Sequence, residues 1–227
     1  MQKILLSIAI PTFNRSQKLQ SQLDSLNKVI SKSRFNKSIE LLVSDNFSDD
    51  STSEVLNNFL ALEKNYLFTV NKNSENLGAD RNFGITIIKS SGKFVWILSD
   101  DDLVHSSAIN FICESLVDNK EVGFCFVNHY VNEEKNFSAI IPSDENYIAR
   151  NYEEFISKVM FAESMISSCI FKKSLLSKED LLKYVGEGYL YMYWVAKIMQ
   201  SKSALVIQKT LFTVIHPGVK ETRQASK

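Results

Sequence analysis

Ser99-Asp100-Asp101-Asp102 puts three carboxylates at the end of a short apolar run, Lys93-Phe94-Val95-Trp96-Ile97-Leu98. That run is aromatic and β-branched, is opened by Gly92, and predicts a buried strand. Like charges at its mouth repel and raise one another's pKa unless solvent or a cation stabilises them. Strand ends at the carboxyl edge of an open α/β sheet are also where ligands bind. The cluster therefore points to a divalent metal site holding a phosphorylated ligand. Its oxygen ligands suit Mg²⁺ or Mn²⁺, and no His-Cys cluster competes. The plainer alternative is an acidic loop in which Asp102 or Ser106 caps a helix over 108–117.

Three further clusters have the same character. Pro11-Thr12-Phe13-Asn14-Arg15 follows an apolar run; Pro11 is expected to stop the strand ladder, and Asn14 or Ser16 to cap the next helix. In Ser44-Asp45-Asn46, followed by Ser48-Asp49-Asp50-Ser51-Thr52, Asp45 can accept a hydrogen bond from a base N–H while Asp50 or Ser51 caps a helix. In Asn76-Leu77-Gly78, followed by Arg81-Asn82, Gly78 permits a positive φ and Arg81 offers a fork for phosphate or a base edge. Taken singly, Asp50 reads as a cap, Gly78 as a turn and Asn82 as a tether for loop backbone.

The elements that must position these clusters alternate. Strands are predicted over 5–10, 39–43, 66–70 and 94–98. Between them lie helices whose apolar faces carry Leu19, Leu23, Leu26 and Ile30, then Val55, Leu56, Phe59 and Leu62, then Phe83, Ile87 and Ile88. Such alternation predicts a parallel sheet with right-handed crossovers, a nucleotide-binding α/β architecture. Beyond residue 120 the pattern changes, with strands over 122–131, 138–141 and 204–215 and helices over 151–161 and 189–199. We read 1–227 as a single domain, with 1–120 as its nucleotide-binding half and 121–227 as its acceptor-side half.

Composition narrows the class. The 227 residues balance 26 basic against 26 acidic side chains, which gives no bulk attraction for nucleic acid or an anionic membrane. Cys113, Cys125 and Cys169 lack CxxC spacing and read as buried thiols of a reducing compartment. The apolar stretch near the N-terminus imitates a signal peptide but runs into Pro11 without a small-residue cleavage site. No apolar run reaches the roughly 18 residues of a membrane span. The expected location is the cytoplasm, with peripheral contact at the inner membrane face left open.

Taken in order, Pro-Thr-Phe-Asn-Arg, Ser-Asp-Asn-x-Ser-x-Asp-x-Thr, Asn-Leu-Gly-x-x-Arg-Asn and Gly-Lys-Phe-Val-Trp-Ile-Leu-Ser-Asp-Asp-Asp resemble a family 2 glycosyltransferase of GT-A fold. The wording is closest to bacterial polysaccharide enzymes of the abequosyltransferase-like kind, and the resemblance covers roughly residues 4–117. It implies a Rossmann-like, mostly parallel central sheet flanked by helices, with a mixed α+β acceptor side. By position it also implies that Pro11, Thr12 and Arg15 lie beside the nucleotide and that Asp45 reads the base. Arg81 would contact base or phosphate, Asp100 the ribose, and Asp101 with Asp102 a Mn²⁺ or Mg²⁺ on the diphosphate. Ser99 stands where the family's fourth motif begins with Asp.

The implied reaction moves a sugar from a nucleotide-sugar donor to a glycan or lipid-linked glycan acceptor. An inverting member needs a general base, usually the Asp of a Glu-Asp pair. Gly186-Glu187-Gly188 is the nearest match, with Gly188 in place of that Asp; Glu187 is the candidate base and Glu163 the second choice. Glu187 also suits the positive N-terminus of the following helix. His216 is a candidate for the metal shell or a solvated loop residue. Tyr189, Tyr191, Tyr193 and Trp194 can stack on sugars or fill a helix core, and core is the expectation for Trp194. The chain ends soon after its last predicted strand, where members of the family often continue with helices that close the acceptor site. Two alternatives stand beside the transferase. One is a nucleotidyltransferase, disfavoured by Thr12-Phe13-Asn14-Arg15 where a Gly-rich basic loop is usual. The other is a non-catalytic nucleotide-sugar binding module.

Overall fold

The computed structural model describes residues 3–133, 136–139, 145–159 and 165–215. Its first half is β1 (Leu6–Thr12), α1 (Ser16–Ser31), β2 (Ile39–Asp45), α2 (Thr52–Leu60), β3 (Leu67–Lys72), α3 (Ala79–Lys89) and β4 (Phe94–Ile97). The four strands are parallel and ordered β3-β2-β1-β4, as the alternation predicts. Because β4 returns to the far side of β1, the strand order reverses there. A crevice opens at such a switch point, at the carboxyl ends of β1 and β4.

Pro11 does not stop the ladder: Pro11 pairs with Ser44 and Thr12 with Asp45. Residues of a strand alternate in the side to which they hydrogen-bond. The Thr12 carbonyl accepts from Asn46 of the β2 side, and the Ala9 carbonyl accepts from Leu98 of the β4 side. Pro11 therefore faces β4, whose pairing with β1 has already ended at Ala9 and Ile97, and its missing N–H removes no bond.

The second half adds β5 (Leu103–Val104), α4 (Ala108–Asp118), β6 (Phe124–Glu133), β7 (Asn136–Ala139), β8 (Tyr147–Ala149), α5 (Tyr152–Val159), β9 (Cys169–Lys172), α6 (Lys178–Leu182), α7 (Leu190–Met199) and β10 (Ala204–Ile215). These extend the same sheet to β3-β2-β1-β4-β9-β6-β10-β5, with β7 on β6 and β8 on β10. The unexpected β9 lies antiparallel between β4 and β6 and carries the sheet from one half into the other. Parts of the predicted strand over 138–141 and helix over 151–161 lie outside the described residues, as do Glu163 and His216.

Both faces of the sheet are covered, which is why its central strands are almost wholly apolar. On one face Ile8, Ile10, Leu41 and Val43 pack with Leu19, Leu23, Leu26 and Ile30 of α1 and with α4. Each buried α1 side chain contributes about 1.5–3 kcal/mol. On the other face Ala9, Leu42, Val95 and Ile97 meet Phe155 of α5 and Trp194 of α7. Trp194 is fully buried edge-on to Phe171, the core role expected of it.

At the amino edge of the sheet, buried Glu40 takes hydrogen bonds from the hydroxyls of Ser7, Thr69 and Ser91 and from the Ser91 amide. It ties β1, β2 and β3 to the turn before β4.

Candidate functional site

The carboxyl ends of β1 and β4 bring the first and last motifs together. Thr12 Oγ1 donates to Asp100 Oδ2 at 2.9 Å, and an Arg15 guanidinium nitrogen lies 2.7 Å from Asp100 Oδ1. Arg15 also pairs with Asp101, whose Oδ2 takes a second cation, Lys18 Nζ, at 2.8 Å. Ser99 Oγ donates to Asp101 Oδ1 at 2.5 Å, and Gln22 holds the Ser99 carbonyl at 3.2 Å. Arg15 and Lys18 are three apart, so the first turn of α1 points both at the acidic turn.

The three carboxylates do not behave alike. Asp100 and Asp102 are each 2% exposed. Burial pushes Asp100 up, against the pull of Arg15 and the Thr12 hydroxyl. Burial also pushes Asp102 up, to about 6, with the charges of Asp101 and Asp100 adding to the rise and the Ser167 hydroxyl opposing it. Burial pushes Asp101 the same way, but Lys18, Ser99 and Arg15 outweigh it and hold this carboxyl below its ordinary range. This corrects the expectation of three mutually raised groups: burial dominates in two, and local partners reverse the third. The capping alternative also fails, because the N-cap of α4 is Ser107, without a side-chain cap bond, and is neither Asp102 nor Ser106.

A divalent cation fits the donor set in part. Among the described residues no three His, Cys, Asp or Glu side chains are grouped to hold a metal. Yet Asp102 Oδ2 and Asp100 Oδ1 are buried without an aligned hydrogen bond, although Arg15 stands beside the latter. One or two carboxylates plus ligand phosphates suffice for Mg²⁺-type binding. A cation on Asp101 has to displace Arg15 and Lys18, and the diphosphate it accompanies offers those cations a new partner.

The β1–α1 and β2–α2 loops are stitched to each other. Asn14 N–H donates to Ser48 Oγ, and the Asp49 amide donates back to Asn14 Oδ1. Neither Asn14 nor Ser16 caps α1, whose N-cap is Arg15. Instead Asp50 accepts the Ser16 and Thr52 amides, each at 2.9 Å, and so serves the starts of both α1 and α2. Burial pushes Asp50 up, but these bonds prevail and hold it at about 2. Asp45 is fully buried: Oδ1 accepts the Ser48 amide, while Oδ2 lacks a hydrogen bond and has Lys72 Nζ at 3.8 Å.

The third motif is scaffold as much as site. Asn46, Asn73, Asn76 and Asn82 bond one another and the backbone of Ser44, Leu77 and Gly78, which fixes the start of α3. Gly78 has φ +78, the conformation expected of it. Arg81 is exposed, on the turn that this network fixes, and among the described residues forms no ion pair. Glu187 is exposed in the loop between α6 and α7, away from the three-carboxylate turn in sequence but against α3. The contact is made by Asp80, which accepts the amides of Gly186 at 2.9 Å and Gly188 at 3.4 Å. His105 and His129 are engaged elsewhere, His105 with Thr210 and Thr213 and His129 with Ser168. The three cysteines are buried and form no disulfide among the described residues, and burial pushes Cys113 up to about 12.

Three site residues escape a reading from sequence. Lys18 is legible only as the helical neighbour of Arg15. Ser167, which binds the Ser99 amide at 3.0 Å, and Asp80 act across 68 and 106 residues.

A parallel half-sheet whose strand order reverses beside β1 and β4, continued by a mixed half, is an α/β fold of GT-A type. Residues 7–176 match Glycosyl transferase family 2, and the chain belongs to that family. It is 29% identical to the abequosyltransferase RfbV of Salmonella typhimurium over 220 residues, 89% of this chain and 63% of that one. Its fold is similar to that of S. aureus TarS 1-349 in complex with UDP-GlcNAc, with TM-score 0.69 and 16% identity over 99% of this chain and 62% of that one. It is also similar to the mannosyltransferase PcManGT of Pyrobaculum calidifontis in complex with GDP-Man and Mn²⁺, with TM-score 0.68 and 16% identity over 96% and 59%. The chain thus spans less than two thirds of each. Among the described residues no helix is long and apolar enough to cross a membrane.

Proposed function

We propose that this chain is a metal-dependent glycosyltransferase of bacterial surface polysaccharide synthesis. It moves a sugar from a nucleotide-diphosphate donor to a glycan or lipid-linked glycan. The observation that carries this reading is the buried pair Asp100 and Asp102 at the switch point, the first held by Thr12 and Arg15 and the second with an oxygen that lacks a hydrogen bond. Residues 1–120 form the donor half and 121–227 the acceptor half of one domain. The named ligands of the similar proteins, UDP-GlcNAc and GDP-Man with Mn²⁺, support the class of donor.

In this reading Pro11 and Thr12 line the nucleotide and Thr12 aligns Asp100 toward the ribose. Asp45 reads the base through Oδ2 once Lys72 moves aside, and Arg81 reaches base or phosphate. Asp101 and Asp102 hold Mn²⁺ or Mg²⁺, which when bound stabilises negative charge on the departing diphosphate. Arg15 and Lys18, released from Asp101, add positive charge to the same group. Glu187 takes the proton of the acceptor hydroxyl.

The test is a thermal-shift panel of UDP, GDP, CDP, dTDP and ADP, with and without Mn²⁺. Saturation at 100 times Kd adds about 2.7 kcal/mol, roughly 5–11 °C at this size. A shift for one nucleotide that needs the metal is expected. No shift with any of the five overturns the donor site.

A further inference from the structure

The loop that carries Glu187 has an unusual backbone. Gly186, Gly188 and Tyr189 all have positive φ, at +95, +73 and +51. A tyrosine rarely adopts this conformation, and this one is the N-cap of α7 and is 63% exposed. Such a loop keeps one shape only if something outside it selects that shape.

The selecting group is on α3. Asp80 and Gly84 are four residues apart and share one face of that helix. At Gly84 a Cβ would lie 2.6 Å from the Leu181 carbonyl, so the bare glycine lets α6 lie directly on α3. One turn earlier, Asp80 accepts the Gly186 and Gly188 amides on either side of Glu187. Two amides converge on one carboxylate oxygen, and its negative charge strengthens each bond. α6 is itself rigid: a reciprocal Ser177–Asp180 capping box starts it, and Trp194 of α7 donates to the Asp180 carbonyl. The same α3 begins at the asparagine network and presents Arg81 next to Asp80. One helix therefore fixes both the donor-side turn and the Glu187 loop.

We propose that Asp80 is a positioning residue: it holds the 186–188 loop so that Glu187 and the Tyr189 ring face the acceptor sugar at a fixed distance from the donor half. This deepens the transferase reading and rests on it. Asp80 itself touches neither substrate.

The test compares Asp80→Ala, Asp80→Asn and Gly188→Ala with the unmodified chain. Amide exchange over 184–190 is measured alongside nucleoside-diphosphate affinity. Turnover is read as diphosphate release from UDP-GlcNAc, GDP-mannose and CDP- and dTDP-sugars with a glycan acceptor mixture. Asp80→Ala is expected to speed exchange of the Gly186 and Gly188 amides at least tenfold and to lower kcat by about 10–100-fold. Nucleotide affinity should stay within twofold. Asp80→Asn keeps an acceptor oxygen and should recover most of both losses. Gly188→Ala keeps Asp80 and meets no neighbouring atom, yet strains the loop, and should lower kcat in the same way. Unchanged exchange in Asp80→Ala, or faster exchange with unchanged kcat, overturns the proposal. If the unmodified chain turns over none of these donors, the transferase reading fails instead, and exchange alone decides whether Asp80 holds the loop.

Discussion

Two edges of one sheet bury carboxylates to the same degree and treat them in opposite ways. At the amino edge, Glu40 has both oxygens taken by Ser7, Thr69 and Ser91. At the carboxyl edge Asp100 and Asp102 are equally buried, yet Asp102 Oδ2 has no hydrogen bond and Asp100 Oδ1 is met only by the Arg15 guanidinium. An unsatisfied buried polar group costs about 1–3 kcal/mol. Such a cost suits a position that a ligand completes, whereas a finished cluster serves the fold alone. Burial of an acid therefore does not by itself separate the two edges; the proposed function rests on the difference in bonding.

The sharpest way to break the comparison is Asp101→Asn. If the carboxyl edge works as proposed, turnover falls by about 100-fold or more. Tm should barely change, since Asp101 is partly exposed and its loss frees Lys18 to solvent while Arg15 keeps Asp100. Persisting turnover would remove Asp101 from the metal site. Glu40→Ala is the converse. It strands the Ser91 amide and three hydroxyls, at a cost of about 3 kcal/mol, which lowers Tm by roughly 6–12 °C. Nucleoside-diphosphate affinity of the folded protein should not move. A changed affinity would show that the two edges communicate.

A pH titration of stability without metal probes the same contrast more gently. Burial lowers His129 from 6.5 to about 4. Below pH 6.5 the unfolded chain takes up that proton first, so the stability of His129 is full above 6.5 and lost by about 4. Burial raises Asp102 from 3.8 to about 6. Here the folded chain takes up the proton first, so stability grows as pH falls from 6 toward 3.8. Each effect is on the order of 3 kcal/mol and they oppose, so these two contributions largely cancel between about pH 4 and 6. Chemical denaturation of Asp102→Asn should show stability falling on acidification, and His129→Gln should show it rising. Matching slopes in the two variants would contradict this pairing.

Much of this was legible from residue order, for a physical reason. Strand–turn–helix joints concentrate Gly, Asn, Asp and Ser, and in a parallel sheet every such joint after a strand falls on the same edge. The four motifs thus announced a parallel half with its loops on one edge, though not the strand order β3-β2-β1-β4. β9 and β5 were not legible because four and two residues are too short to show a period. Pro11 misled because its effect depends on which neighbour its nitrogen faces, a matter of sheet order. The separate behaviour of Asp100, Asp101 and Asp102 depends on Lys18, Thr12 and Ser167. Asp80 was hidden for a similar reason, since its partners lie in the other half of the chain.

The smallest expected effects come from a matched pair of isosteric changes. Thr12→Val removes one hydroxyl bond to Asp100, and Thr69→Val removes one to Glu40, at 2.9 and 3.0 Å. By bond count both should cost about 1 kcal/mol, a Tm loss of roughly 2–4 °C. Glu40 keeps three other donors, so Thr69→Val should leave nucleotide affinity alone. Asp100 keeps only Arg15, the cation proposed to turn toward the diphosphate. In Thr12→Val, Asp100 holds Arg15 more tightly, and affinity for the selected nucleoside diphosphate should fall severalfold, as calorimetric titration would show. Equal affinities in the two variants would mean that the carboxyl-edge cluster, like Glu40, is only a clamp on the fold.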